Sequence, residues 1–357
     1  MKISDCKRME LLSVVEALAA FLVVFIHSKV PGMVGDCVRG WARISVPLFF
    51  IISGFFLFNG NRTVDDYRRI FWHKIKRLLI LIGSSNLLYM TWSIFRMCFI
   101  GNTRCSILEW FKIMIWDNIA VWFLYNEPAF AWHLWFLMAL LFCYVFYVVF
   151  FKCIYKYRIW RYLPLLLVFT YIIQYSCIDI EEPYYYRNWL FMGIPFFSVG
   201  IIIKEKIIND TGTIVRRRLI WMGMFLLGLL LTVFEVIYCN VSYDLYVGTV
   251  ISVVSIFCYA ICAENYFNER YRNSFVFKKL LWIGTYATTM IYIIHPLYID
   301  IFDLLFNRLG IIESGIINYL LPIIVIVASC LSAFFWNVGR KIVRLTIKSQ
   351  SQNSRKY

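Results

Sequence analysis

The chain has 357 residues, of which 61% are hydrophobic, 19% aromatic and 16% charged, with a mean hydropathy of +0.70. A soluble domain is about 45–50% apolar and about 25% charged, so the excess must face lipid rather than water. A soluble enzyme, a secreted disulfide scaffold and a disordered chain are thereby excluded.

The net charge of +15 does not point to nucleic acid, because the 36 Lys and Arg sit in short clusters between apolar runs and form no continuous basic face. The 11 Cys mostly stand singly inside apolar segments, without a CxxC or a Cys/His ligand spacing. They read as small hydrophobes with no redox or metal role.

Met1 to Arg8, followed by the apolar run Leu11 to Ile26, has the outline of a signal peptide. No small-residue cleavage site follows, so it reads as a retained first helix. Splitting the chain where apolar runs meet basic clusters predicts ten spans, at residues 11–30, 44–60, 78–100, 131–151, 162–178, 190–204, 219–239, 245–263, 280–303 and 317–338. With the N-terminus inside, all Lys and Arg except eight (Lys29, Arg39, Arg43, Arg96, Arg104, Lys112, Arg187 and Arg308) fall on the inner side. That asymmetry puts both termini in the cytoplasm. It also argues against a crossing by residues 106–125, which would turn every later basic cluster outward. With Glu109, Lys112 and Asp117 among Trp110, Trp116 and Trp122, this segment reads as a helix lying in the outer interface. The recurrence of Pro47-Leu-Phe-Phe-Ile-Ile-Ser-Gly54 as Pro195-Phe-Phe-Ser-Val-Gly200 reads as coincidence in so aromatic a chain. The expected fold is an all-α polytopic membrane protein with about ten transmembrane helices. Residues 1–345 form one membrane-embedded domain and 346–357 a short polar cytoplasmic tail, disordered from Lys348.

Ionisable groups within spans are costly, so function is sought there. Of the four histidines, His73 falls in the inner basic segment, while His27, His133 and His295 lie in the outer half of the membrane, joined by Arg43 and Glu235. A three-His zinc site lacks any HxxxH-type spacing, and acid–base work by imidazole fits the inventory better. Each of these residues also has a reading as a hydrogen-bonded packing residue or interfacial anchor. Glu16 and His27 are 11 residues apart, three helical turns, so they share one face about 16.5 Å apart along the axis. Ser13 extends that seam toward the cytoplasm. Ser53-Gly54 offers a hydroxyl and a close backbone approach, or a helix-packing notch. Trp132, Trp135, Tyr184, Tyr185, Tyr186 and Trp189 form an outer aromatic belt, or in part a sugar-stacking surface. On the inner side, residues 62–77 form the densest basic loop. It serves topology and anionic headgroups, or receives a phosphate-bearing donor.

The run Arg43-Ile-Ser-Val-Pro-Leu-Phe-Phe-Ile-Ile-Ser-Gly-Phe-Phe-Leu57, the run Trp132-His-Leu-Trp-Phe-Leu-Met-Ala-Leu-Leu141 and Tyr292-Ile-Ile-His295, after His27 at the end of span 1, resemble the acyltransferase-3 family of integral membrane acyltransferases. The nearest type is the O-acetyltransferase of bacterial surface polysaccharides. The resemblance implies a cytoplasmic acyl-CoA co-substrate, acetyl-CoA by type, no metal, and a glycan or lipid-linked saccharide acceptor at the cell inner membrane. It implies His27 as general base or transient acyl carrier, with Arg43, Ser53 and His295 as further catalytic groups. Arg68, Arg69, Lys74 and Arg77 would meet the CoA phosphates, and His133, Trp132, Trp135 and Tyr292 the acceptor. Family members commonly carry an Arg eleven residues before the His, with an Asp three residues before that Arg. Here those positions are Glu16 and Ser13. A negative side chain thus stands on the donor path where a positive one is usual. A small-molecule transporter on the same fold is the alternative, since a seam of acidic and imidazole groups also suits exchange.

Overall fold

The computed structural model describes residues 9–28, 30–58, 63–99, 112, 126, 130–176, 185–209, 217–239, 243–310 and 315–353, and no strand occurs among them. The helices are α1 (Glu10–His27), α2 (Gly32–Ala42), α3 (Ser45–Leu57), α4 (Val64–Phe99), α5 (Trp135–Val149), α6 (Phe151–Tyr157), α7 (Leu166–Ser176), α8 (Ile194–Asn209), α9 (Arg218–Cys239), α10 (Val247–Tyr271), α11 (Phe275–Tyr286), α12 (Thr288–Arg308) and α13 (Gly315–Asn353). A π-helical turn, Trp189–Gly193, leads into α8.

Among the described residues, seven helical segments are long and apolar enough to cross a membrane. The pair α5 and α6, bent by 74°, makes up to eight. Each predicted span overlaps a helix, but 280–303 straddles the break at Ala287 between α11 and α12. However, α7 with 11 residues and α8 with 16 are too short to meet the same length requirement alone. The lipid environment is legible in α9, which buries only Gly228 and Thr232 while Leu219, Leu230 and Phe234 are left 78%, 69% and 62% exposed. A helix this apolar all round is stable only in hydrocarbon. The chain is a multi-pass membrane protein.

The inner basic segment is not a loop. From Val64 it is the first part of α4, with Thr63 and Asp66 closing the helix start through their mutual hydrogen bonds. Tyr67, Phe71, Ile75, Leu78, Ile82, Ser85 and Tyr89 recur at three- and four-residue steps and are all buried, which makes one seam of α4 a packing face against α5. The expected tail is likewise helical as far as Asn353. The proposed interfacial helix at 106–125, apart from Lys112, lies outside the described residues, as do Arg62, Tyr184 and residues 354–357.

Contacts divide the chain into two compact units, residues 46–259 with 1–7, and residues 8–45 with 260–357. In the first, α3 crosses α8 at glycine. A Cβ on Gly54 would come 1.9 Å from the carbonyl oxygen of Phe197, and one on Gly200 would come 2.0 Å from that of Ile51. Next to this crossing, Ser53 hydrogen-bonds Tyr144 and Ser198 bonds Tyr147 at 2.8 Å, both tyrosines on α5. A second close crossing joins α9 and α10 through Gly228 and Gly248. In this unit the Glu235 carboxylate accepts hydrogen bonds from the Val247 and Gly248 amides at 2.9 and 2.8 Å, closing the N-terminus of α10. Glu235, read from sequence as an outer counter-charge, is a helix cap.

In the second unit α1 is the central helix, packed by α2, α11, α12 and α13. Its first two amides donate to Glu264 of α10 at 2.6 and 3.0 Å. Its closest approach is to α11, where a Cβ on Gly284 would lie 1.7 Å from the Ser13 carbonyl oxygen.

Candidate functional site

His27 is the last residue of α1, where the Ser28 amide and hydroxyl both close the helix on the Val24 carbonyl, at 3.0 and 2.7 Å. The carbonyl end of a helix favours a cation, so this is a suitable place for a group that must take up a proton. His295 lies in α12 within the buried run Ile291, Tyr292, Ile293 and Ile294. The two imidazoles, 268 residues apart in sequence, meet with ring centroids 5.1 Å apart and planes tilted by 41°. His27 is partly accessible and His295 fully buried. Tyr292, also buried, stacks at 6.2 Å on His295.

A carbonyl only accepts, so the 3.0 Å contact from His295 Nδ1 to the Ile291 carbonyl requires a proton on Nδ1. Pro296 follows and removes the helical amide that would otherwise bond the Tyr292 carbonyl. Both carbonyls are consequently available to this ring. In its neutral form His295 is therefore the Nδ1–H tautomer, with the lone pair on Nε2.

Glu16 and His27 share one partly accessible face of α1, but Ala20, Val23 and Val24 between them are 0–1% exposed. Tight apolar packing thus interrupts the polar seam read from sequence. Ser13 does not extend it, because its hydroxyl bonds the Met9 carbonyl at 3.1 Å and its backbone abuts Gly284. Arg43 is the C-cap of α2, the helix that packs on α1. His27, His295, Tyr292, Glu16 and Arg43 all belong to the second unit.

Ser53, Arg68, Arg69, Lys74, Arg77, Trp132, His133 and Trp135 belong to the first unit. Ser53 is engaged with Tyr144 at the α3–α8 crossing. On α4, Arg69 and Arg77 stand on one exposed face together with His73 and Lys76, at helical steps of four, three and one. Lys74 turns toward the packing seam and lies 5.6 Å over the Tyr144 ring, while the exposed Arg68 sits on a different face. Sequence reasoning missed the contribution of His73 and Lys76 because it counted charges along the segment rather than around a helix. Beside this basic stretch, Tyr67 and Phe71 help line a narrow apolar crevice with Leu57, Phe58, Trp160 and Ile201.

His133 is 3% exposed and packs edge-on to Tyr89 at 4.6 Å. Trp135, 7% exposed, carries the Arg187 guanidinium 5.6 Å over its ring. Arg187 in turn faces Asp244 at 3.8 Å, with the side chains 13% and 7% exposed. The Trp132 side chain falls outside the described part. Sequence reading recorded Arg187 only as an outer charge and did not use Asp244. Neither is near the other in the chain, so no local pattern joins them. Among the described residues no three His, Cys, Asp or Glu side chains gather as a metal site.

A family model described as an acyltransferase domain matches residues 11–338, nearly the whole chain. No curated protein and no solved structure matches it.

Proposed function

This chain belongs to the acyltransferase-3 family of membrane-bound acyltransferases, and on that premise we propose that it moves an acyl group, acetyl by type, from acyl-CoA to a hydroxyl of a cell-surface polysaccharide or its lipid-linked precursor. The site lies in the cell inner membrane on this reading. The observation that carries it is the pairing of a partly accessible imidazole, His27, with a fully buried one, His295, inside a membrane-spanning unit. Apart from acid–base or nucleophilic chemistry, a membrane interior gives little reason to keep two imidazoles in contact.

As base, His27 takes the proton of the acceptor hydroxyl while its oxygen attacks the thioester carbonyl. The C–O bond forms, the C–S bond breaks, and the proton passes to the departing thiolate to give CoA thiol and an ester. As acyl carrier, His27 would itself hold the acyl group between donor and acceptor. Arg43 steadies the oxyanion or the acceptor, and Ser53 is the weakest of the assigned groups because Tyr144 already occupies it. On the donor side, Arg69 and Arg77 on the exposed face of α4, with Arg68 and Lys74 flanking, meet the CoA phosphates. Tyr292, beside His295, contacts the acceptor.

Proton NMR of surface glycans tests the proposal, using a deletion strain complemented with the wild-type chain or with His27→Ala at matched membrane levels. Base-labile ester signals are expected with wild type alone. Equal ester content in both strains refutes the role of His27.

A further inference from the structure

We propose that Tyr298, Phe302 and Phe306, on the outer part of α12, form a seat along which successive sugar rings of a saccharide acceptor lie while one of its hydroxyls reaches His27. This rests on the acyl-transfer reading above and deepens it by placing the acceptor. The three side chains stand four residues apart, and their rings form a row, with centroids 6.0 and 5.9 Å apart and planes only 24° and 22° from parallel. At about 100° per residue, all three point within about 60° of His295, whose ring meets that of His27. The row begins about 4.5 Å beyond His295 along the helix axis and ends about 16.5 Å beyond it. Because α1 stops at His27, α12 carries these rings outward past the end of its neighbour.

Two hydrogen bonds hold the surroundings in place. The Tyr298 hydroxyl is joined to that of Ser332 on α13 at 2.5 Å, which fixes the first ring of the row. Tyr319, near the start of α13, donates to the Pro31 carbonyl at 3.3 Å and so ties α13 to the turn that follows His27. All of these residues belong to the second unit. The three rings are half-buried, held by their neighbours yet partly accessible. The chemistry beside them favours a sugar over a lipid tail. A pyranose offers a face of C–H groups that lies on an aromatic ring, and hydroxyls at its edge that need hydrogen-bond acceptors. Asp300 and Asp303, also half-buried, put carboxylates on the same turns of α12. Such groups are costly in a membrane helix and do nothing for a hydrocarbon chain. The length of the row points to an acceptor of several sugar units, since a single ring at His27 would reach Tyr298 and leave Phe306 unused.

Two substitutions separate a sugar seat from apolar packing. Phe302→Leu keeps an apolar side chain but removes the ring face, and Phe302→Trp keeps a ring. The probe is a set of oligosaccharides cut from the surface glycan of the deletion strain, which lacks the chain's own product. Thiol release from acetyl-CoA is measured on the purified full chain in detergent as these oligosaccharides are varied, and melting confirms that each variant is folded. Phe302→Leu is expected to raise KM for the oligosaccharides about tenfold, with the maximal rate and KM for acetyl-CoA within about twofold of wild type. Phe302→Trp is expected to stay within about threefold of wild type in all three. Saturation-transfer NMR reads binding without turnover, and its signal on the sugar protons should be present with wild type and Phe302→Trp and lost with Phe302→Leu. A Phe302→Leu chain that binds and turns over like wild type overturns the proposal, because the row then serves helix packing or a lipid tail. Equal losses in both variants overturn it too. Should Phe302→Leu fail to fold, Phe306→Leu, one turn further out, takes the same test. Oligosaccharides that bind through Phe302 without releasing thiol leave the seat standing and refute acyl transfer, whereas thiol release that ignores Phe302 refutes the seat alone.

Discussion

Replacing Gly284 by Ala tests whether the position of α1 is set by its contact with α11. The added Cβ would stand 1.7 Å from the Ser13 carbonyl oxygen and 2.5 Å from its carbon. An ordinary C···O contact is about 3.3 Å, so the two helices must separate by about 1.6 Å. Overpacking of this kind costs about 1–3 kcal/mol, offset by about 1 kcal/mol from the better helix propensity of Ala. The net loss is up to about 2 kcal/mol, which lowers the melting point by up to about 3 °C in a chain of this size. The consequence for activity is larger, because α1 carries His27 on its last turn and a misplacement of about 1 Å at a reacting group costs about 100-fold. Gly223→Ala on α9 is the matched control, since no atom lies within 4 Å of its Cβ position. It is expected to leave activity unchanged and to raise the melting point slightly. Melting in detergent and thiol release from acetyl-CoA, measured on both variants, decide the matter. If Gly284→Ala melts and turns over like Gly223→Ala, the close crossing does not hold α1 in place.

Glu235→Gln should cost about 1 kcal/mol in melting without changing the rate at saturating acetyl-CoA, because the carboxylate caps the two leading amides of α10; a selective loss of rate would return Glu235 to the active site. Asp244→Asn leaves the buried Arg187 guanidinium without its carboxylate 3.8 Å away and should destabilise by about 3 kcal/mol or more. The charge swap Arg187→Asp with Asp244→Arg should regain part of that loss in a melting assay, and failure to do so would remove the pair as a structural unit. At the inner end of α8, burial alone would raise the pKa of Glu205, but hydrogen bonds from Arg161 at 2.6 and 3.2 Å and from Trp160 at 3.1 Å outweigh it and hold the carboxyl below its usual value. A lowered folded-state pKa gives stability that is present above the ordinary Glu value, near 4.3, and lost as pH falls through the folded one. The melting point of the wild type should thus fall in that acid window, and that of Glu205→Gln should be lower at neutral pH and flatter there.

Much of the fold was legible because lipid imposes length and apolarity on each helix, and each predicted span overlaps a helix, although 280–303 runs across the break between α11 and α12. What the linear pattern misjudged were the ends. Residues 62–77 carry six of the chain's cations and read as a loop by charge, yet their apolar members Tyr67, Phe71 and Ile75 fall one helical turn apart. That periodicity was present in the sequence and outweighed the charge signal, because a helix can be basic on one face and packed on another. The site divides in the same way. His27 and His295 stood out as imidazoles of similar depth, which topology alone supplies. The pairing of Arg187 with Asp244, and of Glu264 with the start of α1, has no such clue, since each joins residues far apart in sequence.

The recurrence of Pro47-Leu-Phe-Phe-Ile-Ile-Ser-Gly54 as Pro195-Phe-Phe-Ser-Val-Gly200 shows how a pattern dismissed as compositional acquires a cause. The two segments are each other's packing partners. Gly54 admits the Phe197 carbonyl and Gly200 admits the Ile51 carbonyl, each glycine receiving the backbone three residues before its counterpart. The flanking serines face neighbouring positions of α5, Ser53 at Tyr144 and Ser198 at Tyr147. A crossing this close tolerates only glycine on both helices, because the partner backbone occupies the place of each Cβ. Similar short sequences therefore recur because both sides of one reciprocal contact face the same steric demand. The same logic places Ser53 among the groups that fix unit geometry. Ser53→Ala, which removes its bond to Tyr144 while keeping Gly54, should lower melting by about 1 kcal/mol and leave the rate of thiol release within about threefold of wild type. A loss of 100-fold or more at unchanged stability would instead make the hydroxyl an oxyanion donor.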